Sequence, residues 1–166
     1  MIEPSKISMV ARKYENENIR FRTFLKCNAD EDELDRQFLE LHNELFLDYD
    51  CSKCRNCCRA YGTNLQESEI DSISAFFELS REDFVERHLI KSGEGFEIKA
   101  PCCFLRTDGS CQIQEYRPVS CREFPHTNKP ERLWSLLGVL SFAEECPVVF
   151  EMLQRLKEIY RFKTRR

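Results

Sequence analysis

The chain has 166 residues and a net charge of −4. This length suffices for one domain with a hydrophobic core, and the acidic balance disfavours nucleic acid, which usually binds a basic face. No apolar run approaches the roughly 18 residues that a membrane helix needs, so no membrane partner is expected. The first residues also lack the apolar core of a signal peptide, and we therefore expect a cytoplasmic protein.

The N-terminal part of the chain is polar. Residues 1–18 show no apolar periodicity, and we predict a flexible arm there, followed by a single domain over residues 19–166. Acidic residues follow Asp30, and they predict a helix start there, because the positive N-terminal end of a helix dipole stabilises acidic side chains. Beyond them, apolar residues recur at helical spacing and predict a helix that ends near Asp50: Leu34, Phe38, Leu41 and Leu45.

Capping signals predict the next helices. Leu65 and Ile70 are spaced as a hydrophobic staple around a helix start at Gln66. Ser80 opens a capping pattern that predicts a helix from Arg81 to Leu89. Further on, apolar spacing and a proline suited to a first turn predict two more helices, one over residues 133–140 and one that begins at Pro147.

Two short strands are predicted in the middle of the chain. Asp108-Gly109 signals a tight turn between Cys102–Leu105 and Cys111–Ile113, which would form a hairpin. Residues 96–99 alternate as a further short strand. The fold class that follows is mostly α with a small β-hairpin, in a single metal-stabilised domain with an irregular cysteine-rich centre.

Cysteine is unusually dense in this centre. Of the ten cysteines, four lie in Cys51-x-x-Cys54-x-x-Cys57-Cys58, which no packing requirement explains. Thiols at this spacing can bind a metal or form disulfides, and a reducing cytoplasm favours metal ligands. Three cysteines at this spacing are typical of iron–sulfur proteins, while Cys-x-x-Cys pairs also bind zinc, so both cofactors stay open.

The remaining cysteines can extend this group. The predicted hairpin would bring Cys102 and Cys111 together, and Cys121 lies shortly beyond it. Cys146 precedes Pro147 at a predicted helix start, where the helix dipole favours a thiolate. Sulfur ligands of this kind select zinc, iron–sulfur clusters or copper(I) over hard cations.

These motifs together resemble one family. The cysteine run at 51–58 is followed by Pro101-Cys102-Cys103-Phe104-Leu105, by Gly109-Ser110-Cys111-Gln112-Ile113 and by Tyr116-Arg117-Pro118-x-x-Cys121-Arg122-x-Phe124-Pro125. In order and spacing, the pattern resembles the YkgJ-type cysteine-cluster (CxxCxxCC) family of zinc- or iron-chelating domains. Cys146-Pro147 resembles the final Cys-Pro of that family.

The resemblance implies a set of metal ligands: Cys51, Cys54, Cys57, Cys58, Cys102, Cys111, Cys121 and Cys146. It leaves Cys27 and Cys103 as bystanders, and His126 as a candidate for an extra ligand. The chain departs from the family pattern at Arg55-Asn56, where relatives commonly have glycine, and at Gln114, where they commonly have tyrosine.

Positive charge and aromatic cover are also expected at the cofactor. Four thiolates around Zn²⁺ leave a net charge of −2, which the guanidinium groups of Arg117 and Arg122 would offset as cofactor-contacting donors. Three aromatic side chains would shield the site from water: Phe104, Phe124 and Trp134.

The function predicted from the sequence is thiolate binding of an iron–sulfur cluster or Zn²⁺, in one or two centres, with iron–sulfur favoured. A protein without catalysis of its own is favoured over an enzyme, since no glycine-rich cofactor loop is present. Two alternatives use the same cluster. One is an enzyme of protein modification, since a related cluster occurs in flagellin lysine-N-methylase, and the other is a redox or metal-handling protein.

Overall fold

The structure, a computed structural model, describes residues 1–163 and is mostly helical with one small antiparallel sheet. The chain divides into two compact units. The first unit contains Met1–Asp50 and the described chain from Pro125 onward, and the second contains Cys51–Phe124. None of the described helices has the length and apolar character needed to cross a membrane.

The elements follow one another in a simple order. Two single 3₁₀ turns lie at Pro4–Lys6 and Gln114–Tyr116. The strands of the second unit are β1 (Thr63–Leu65), β2 (Ile90–Ser92) and β3 (Gly95–Ile98). The helices are α1 (Ile7–Asn28), α2 (Glu31–Phe46), α3 (Cys51–Cys54), α4 (Asn56–Ala60), α5 (Glu67–Phe76), α6 (Arg81–His88), α7 (Val119–Glu123), α8 (Arg132–Phe142) and α9 (Pro147–Ile159).

The predicted N-terminal arm requires correction, because helix α1 begins at Ile7 and the boundary drawn at residue 18 falls inside it. Ile7, Ala11 and Asn18 are buried, and their spacing places them on one face of the helix. Charged and polar residues between these positions obscure this face in the sequence. The contacts group the chain into two compact units, and the single domain over residues 19–166 stays a prediction.

Helices α1, α2, α8 and α9 pack together to form the first unit. The Asp30 side chain accepts a hydrogen bond from the backbone N–H of Glu33, which confirms the predicted start of α2, although α2 ends at Phe46 and not at Asp50. Asp35 in turn accepts the backbone N–H groups of Glu131 and Arg132 at 2.7 and 2.8 Å, so a carboxylate of α2 caps α8. The helices bury a continuous apolar core that includes Phe21, Leu25, Leu34, Phe38, Leu136, Met152 and Leu156.

The second unit contains the sheet, in the strand order β1-β3-β2. The hairpin is formed by β2 and β3 around Gly93, which has a φ of 59°. The hairpin predicted around Asp108-Gly109 is reduced to one bridge between Leu105 and Cys111, closed by a turn in which Gly109 has a φ of 84°. The sequence therefore placed this turn correctly but predicted more strand than forms, and it did not predict β1.

Stacked aromatic rings fill the core of the second unit. Phe84 and Phe104 are almost parallel, with ring centroids 6.1 Å apart, and Phe77 stacks on Phe104 at 5.6 Å. Phe84 comes from α6, whose predicted cap at Ser80 is confirmed by a hydrogen bond from the Asp83 N–H. Phe104 adjoins two cysteines in the sequence, so the core fixes the segment that contains them.

We predict that Phe84→Ala destabilises the second unit by about 3–5 kcal/mol, because it leaves a cavity among stacked rings. Phe76→Ala removes the same ring from a side chain that is 44% exposed, and it should cost roughly 1 kcal/mol or less. Urea unfolding followed by circular dichroism, with metal removed from both variants, compares the two. Equal losses of stability would contradict this description of the core.

Candidate metal centre

The first four clustered cysteines lie on two short helical segments joined at a single residue. Cys51 and Cys54 are on α3, and Cys57 and Cys58 are on α4. Arg55 between them adopts the left-handed conformation, with a φ of 55° and a ψ of 16°. Glycine takes this conformation most readily, and here a buried arginine takes it.

A backbone hydrogen bond joins the next cysteine segment to α4. The N–H of Cys102 donates to the carbonyl of Cys58 at 2.8 Å. The chain then turns back through Gly109, and the N–H of Gln112 donates to the carbonyl of Phe104, also at 2.8 Å. This ladder holds Cys111 opposite Leu105, so the 102–111 loop returns to the same part of the second unit.

Helix α7 brings the last cysteine of this unit to the group. Glu69 of α5 accepts the backbone N–H of Val119 at 2.7 Å, and the Ser120 hydroxyl donates to the carbonyl of Asn64 at 3.0 Å. These bonds fix α7 beside β1. Cys121 is thereby placed with its sulfur 3.3 Å from the hydroxyl of Thr63, which is the first residue of β1.

Five thiols from three chain segments share this neighbourhood. Cys57 and Cys58 are hydrogen-bonded to each other. The charge of Cys58 acts on Cys102 and on Cys121, and Cys111 acts on Cys121. The structure therefore brings together five of the eight predicted ligands: Cys57, Cys58, Cys102, Cys111 and Cys121.

The pKa of the Cys58 thiol is lowered to about 6. The hydrogen bond from Cys57 is the main cause. Burial opposes the shift, while the guanidinium groups of Arg55 and Arg117 assist it. At neutral pH the Cys58 sulfur is therefore predominantly a thiolate, which is the form that binds metals.

The thiols around Cys58 behave in the opposite way. Burial raises the pKa of Cys102 to about 11, and neighbouring sulfurs add to this effect. Burial likewise raises the pKa of Cys121, although the hydrogen bond with Thr63 and the charge of Arg117 reduce the shift. The Cys58 thiolate thus lies near two thiols, Cys102 and Cys121, whose protonated forms are favoured by burial.

The two arginines predicted to contact the cofactor differ in the structure. Arg117 donates to the carbonyl of Cys121 at 2.9 Å, and its charge acts on two sulfurs. Arg122 is exposed on α7. The sequence missed Arg55, which is 5% exposed and donates to the carbonyl of Ser52 and to the Gln114 side chain. The available signal was the departure at Arg55-Asn56, where the family resemblance implies glycine.

The remaining predicted residues have separate positions. Cys51 is exposed on α3, and the carbonyl of Cys54 accepts a hydrogen bond from Arg59. Cys146 belongs to the first unit, where it is buried as the N-cap of α9, so its part in metal binding stays a prediction. Trp134 is 70% exposed and donates to Glu31, and it therefore does not serve as the buried cover that the sequence predicted.

The donor atoms of this group fit a soft metal. Every predicted ligand is a sulfur, one is acidified, and two guanidinium groups offset the negative charge of thiolates. No disulfide joins the cysteines, all of which lie in the described residues. Over residues 1–163, no three His, Cys, Asp or Glu side chains are close enough together, as they stand, to hold a metal ion.

Comparison with known proteins defines the class. The sequence model of the CxxCxxCC family, described as a "putative zinc- or iron-chelating domain", matches residues 50–146. This match covers more than half of the chain, and the protein belongs to that family. The resemblance deduced from the cysteine spacing is therefore confirmed. No solved structure matches the chain.

We predict that Cys58 reacts with iodoacetamide much faster than Cys102 in metal-free protein at roughly pH 7.5, because alkylation requires the thiolate. With pKa values of about 6 and about 11, Cys58 is mostly ionised at this pH and Cys102 is not. Mass spectrometry of peptides after timed alkylation measures both rates in one sample. The rate at Cys58 should fall as the pH is lowered through about 6, and equal rates for the two thiols would refute the assignment.

Proposed function

We propose that this protein binds zinc or an iron–sulfur cluster through its clustered thiolates, in one or two centres, in the reducing environment of the cytoplasm. The family supports metal chelation of the zinc or iron kind. The observation that carries the finer proposal is the grouping of Cys58 with Cys102, Cys111 and Cys121, which are far apart in sequence. Packing alone does not require four thiols in one place.

Cys58 is the ligand from which we infer the centre to be built. Its thiolate is available at neutral pH, and its carbonyl holds the Cys102 segment through a backbone hydrogen bond. The Cys57 thiol is hydrogen-bonded to Cys58, so we place these two cysteines at the same centre. Cys51 and Cys54 of α3 are proposed as further ligands, and so is Cys146, which lies in the first unit.

Arg55 and Arg117 are the proposed counter-charges. Four thiolates around a divalent metal carry excess negative charge, and nearby guanidinium donors stabilise it. Arg55 is almost fully buried and Arg117 is anchored on the Cys121 carbonyl, so both side chains are held in position. Arg122, which is exposed, is a weaker candidate for this role.

The nature of the cofactor decides what the site can do. Zinc would cross-link the loops of the second unit, whereas an iron–sulfur cluster would in addition exchange an electron. We favour the cluster because the Cys-x-x-Cys-x-x-Cys run is typical of iron–sulfur proteins. In either case, the residues of this chain supply sulfur, offset charge and limit the access of water.

Purification without oxygen tests the proposal directly. The expected result is a brown protein that contains iron and inorganic sulfide in stoichiometric amounts, measured by elemental analysis and absorption spectroscopy. A colourless protein with stoichiometric zinc would retain the thiolate site and reject the cluster. Absence of both metals at stoichiometric levels would reject the metal-binding function.

We further predict that Cys58→Ser and Cys121→Ser each lose most of the bound metal, since oxygen is a poorer ligand than thiolate for these metals. Cys103→Ser is the matched control, because Cys103 adjoins a proposed ligand but is exposed and lies beside His88. Metal per protein is measured after identical anaerobic preparation. Normal metal content in Cys58→Ser, or equal loss in Cys103→Ser, would remove Cys58 from the ligand set.

A further inference from the structure

A groove in the first unit has the properties of a ligand site and is formed without any cysteine. It runs between α1 and α8 and encloses about 400 Å³. Cavities of this size commonly hold small organic molecules. Both walls belong to the first unit, and they pack directly against each other.

The walls of the groove are apolar and partly open to water. Ile19 of α1 is 48% exposed and Leu137 of α8 is 64% exposed, and both line the groove. Gly138 lines it as well, and an added Cβ there would meet no atom within 4 Å. The missing side chain of Gly138 therefore creates part of the space between the helices.

A buried polar group also lines the groove. Asn18 is 4% exposed, and its Oδ1 has no hydrogen-bond partner within the described residues. An unpaired buried oxygen of this kind costs free energy, and a donor supplied by a ligand would recover it. The oxygen accepts hydrogen bonds only, so it selects a ligand that donates one.

Two carboxylates line the same groove. Glu15 is exposed on α1 and Glu144 is half-buried after α8, and neither forms an ion pair within residues 1–163. The adjacent Glu145 has a raised pKa, because burial and the charge of Glu144 disfavour its ionised form and outweigh the opposing charge of Arg12. The groove thus combines apolar walls, an acceptor and a net negative charge, which together complement a cation with an aliphatic body.

We propose that the groove between α1 and α8 binds a primary aliphatic amine. Its alkyl chain would lie between Ile19 and Leu137 in the space left by Gly138. Its protonated amino group would donate to Oδ1 of Asn18 and be attracted by Glu15 and Glu144. No cysteine lines this groove, so amine binding and metal binding can be tested independently of each other.

Octylamine at neutral pH is the probe, with octanoate as its anionic counterpart of equal chain length. Titration of the full ¹⁵N-labelled chain should shift backbone amides of α1 and α8 in NMR spectra. Octanoate should bind at least roughly tenfold more weakly, because its charge is repelled by the two carboxylates. Equal affinity for the two probes, or shifts that do not localise to these helices, would overturn the proposal.

Variants test each part of the groove. Gly138→Leu fills the space and should abolish the amide shifts, whereas Asn16→Leu adds the same side chain to an exposed position of α1 and should preserve them. Asn18→Leu should weaken octylamine binding by roughly tenfold, since it removes the acceptor and leaves the walls apolar. Unchanged binding in Gly138→Leu would place the amine elsewhere and reject the site.

A variant that changes only surface charge provides a second test, which remains usable if Gly138→Leu or Asn18→Leu folds poorly. Glu15→Gln combined with Glu144→Gln alters only the charge of the groove lining. It should reduce the preference for octylamine over octanoate without changing the thermal unfolding midpoint greatly. A preference that survives both substitutions would show that the two carboxylates do not select the ligand and would overturn the amine assignment.

Discussion

Backbone hydrogen bonds determine the position of Cys58, and the cluster of five thiols in the second unit depends on Cys58. Its carbonyl accepts the N–H of Cys102, while Glu69 and the Ser120 hydroxyl fasten the segment that contains Cys121. One backbone bond and two bonds that involve side chains thus join the three segments. The sulfur atoms are gathered by the fold, and a cofactor would complete a site whose segments already lie together.

Gathering thiols in a partly buried place has an electrostatic consequence. Burial is the main reason that the pKa values of Cys102 and Cys121 are raised, and the charges of neighbouring sulfurs add to it, whereas hydrogen bonding from Cys57 lowers the pKa of Cys58. The charge of Arg117 acts on both Cys58 and Cys121, so one cation favours the thiolate form of two sulfurs. A metal cation would relieve the remaining repulsion more effectively than any side chain, because it approaches all of its ligands at once.

The parts of the fold that were predictable are those determined by neighbouring residues. The caps at Asp30 and Ser80 are local patterns, and both were placed correctly. Strand β1 was missed because it pairs with β3, which lies far along the chain, and because a strand of three residues shows little periodicity. Helix α1 was missed because buried Asn18 interrupts its apolar face. At the site, spacing predicted the cysteines, but the 3.3 Å contact between Thr63 and Cys121 depends on tertiary packing alone.

Arg55 and Gln114, which both lie where the sequence departs from the expected family pattern, contact each other. Arg55 has the left-handed conformation, and its guanidinium lies 3.4 Å from the Gln114 side chain. A non-glycine residue in this conformation costs free energy, which must be offset by what its side chain does. Here the side chain is buried, bonds Ser52 and Gln114, and stabilises the Cys58 thiolate. Gln114 therefore offers an acceptor that helps to hold Arg55, and Arg55 places a positive charge near the Cys58 sulfur.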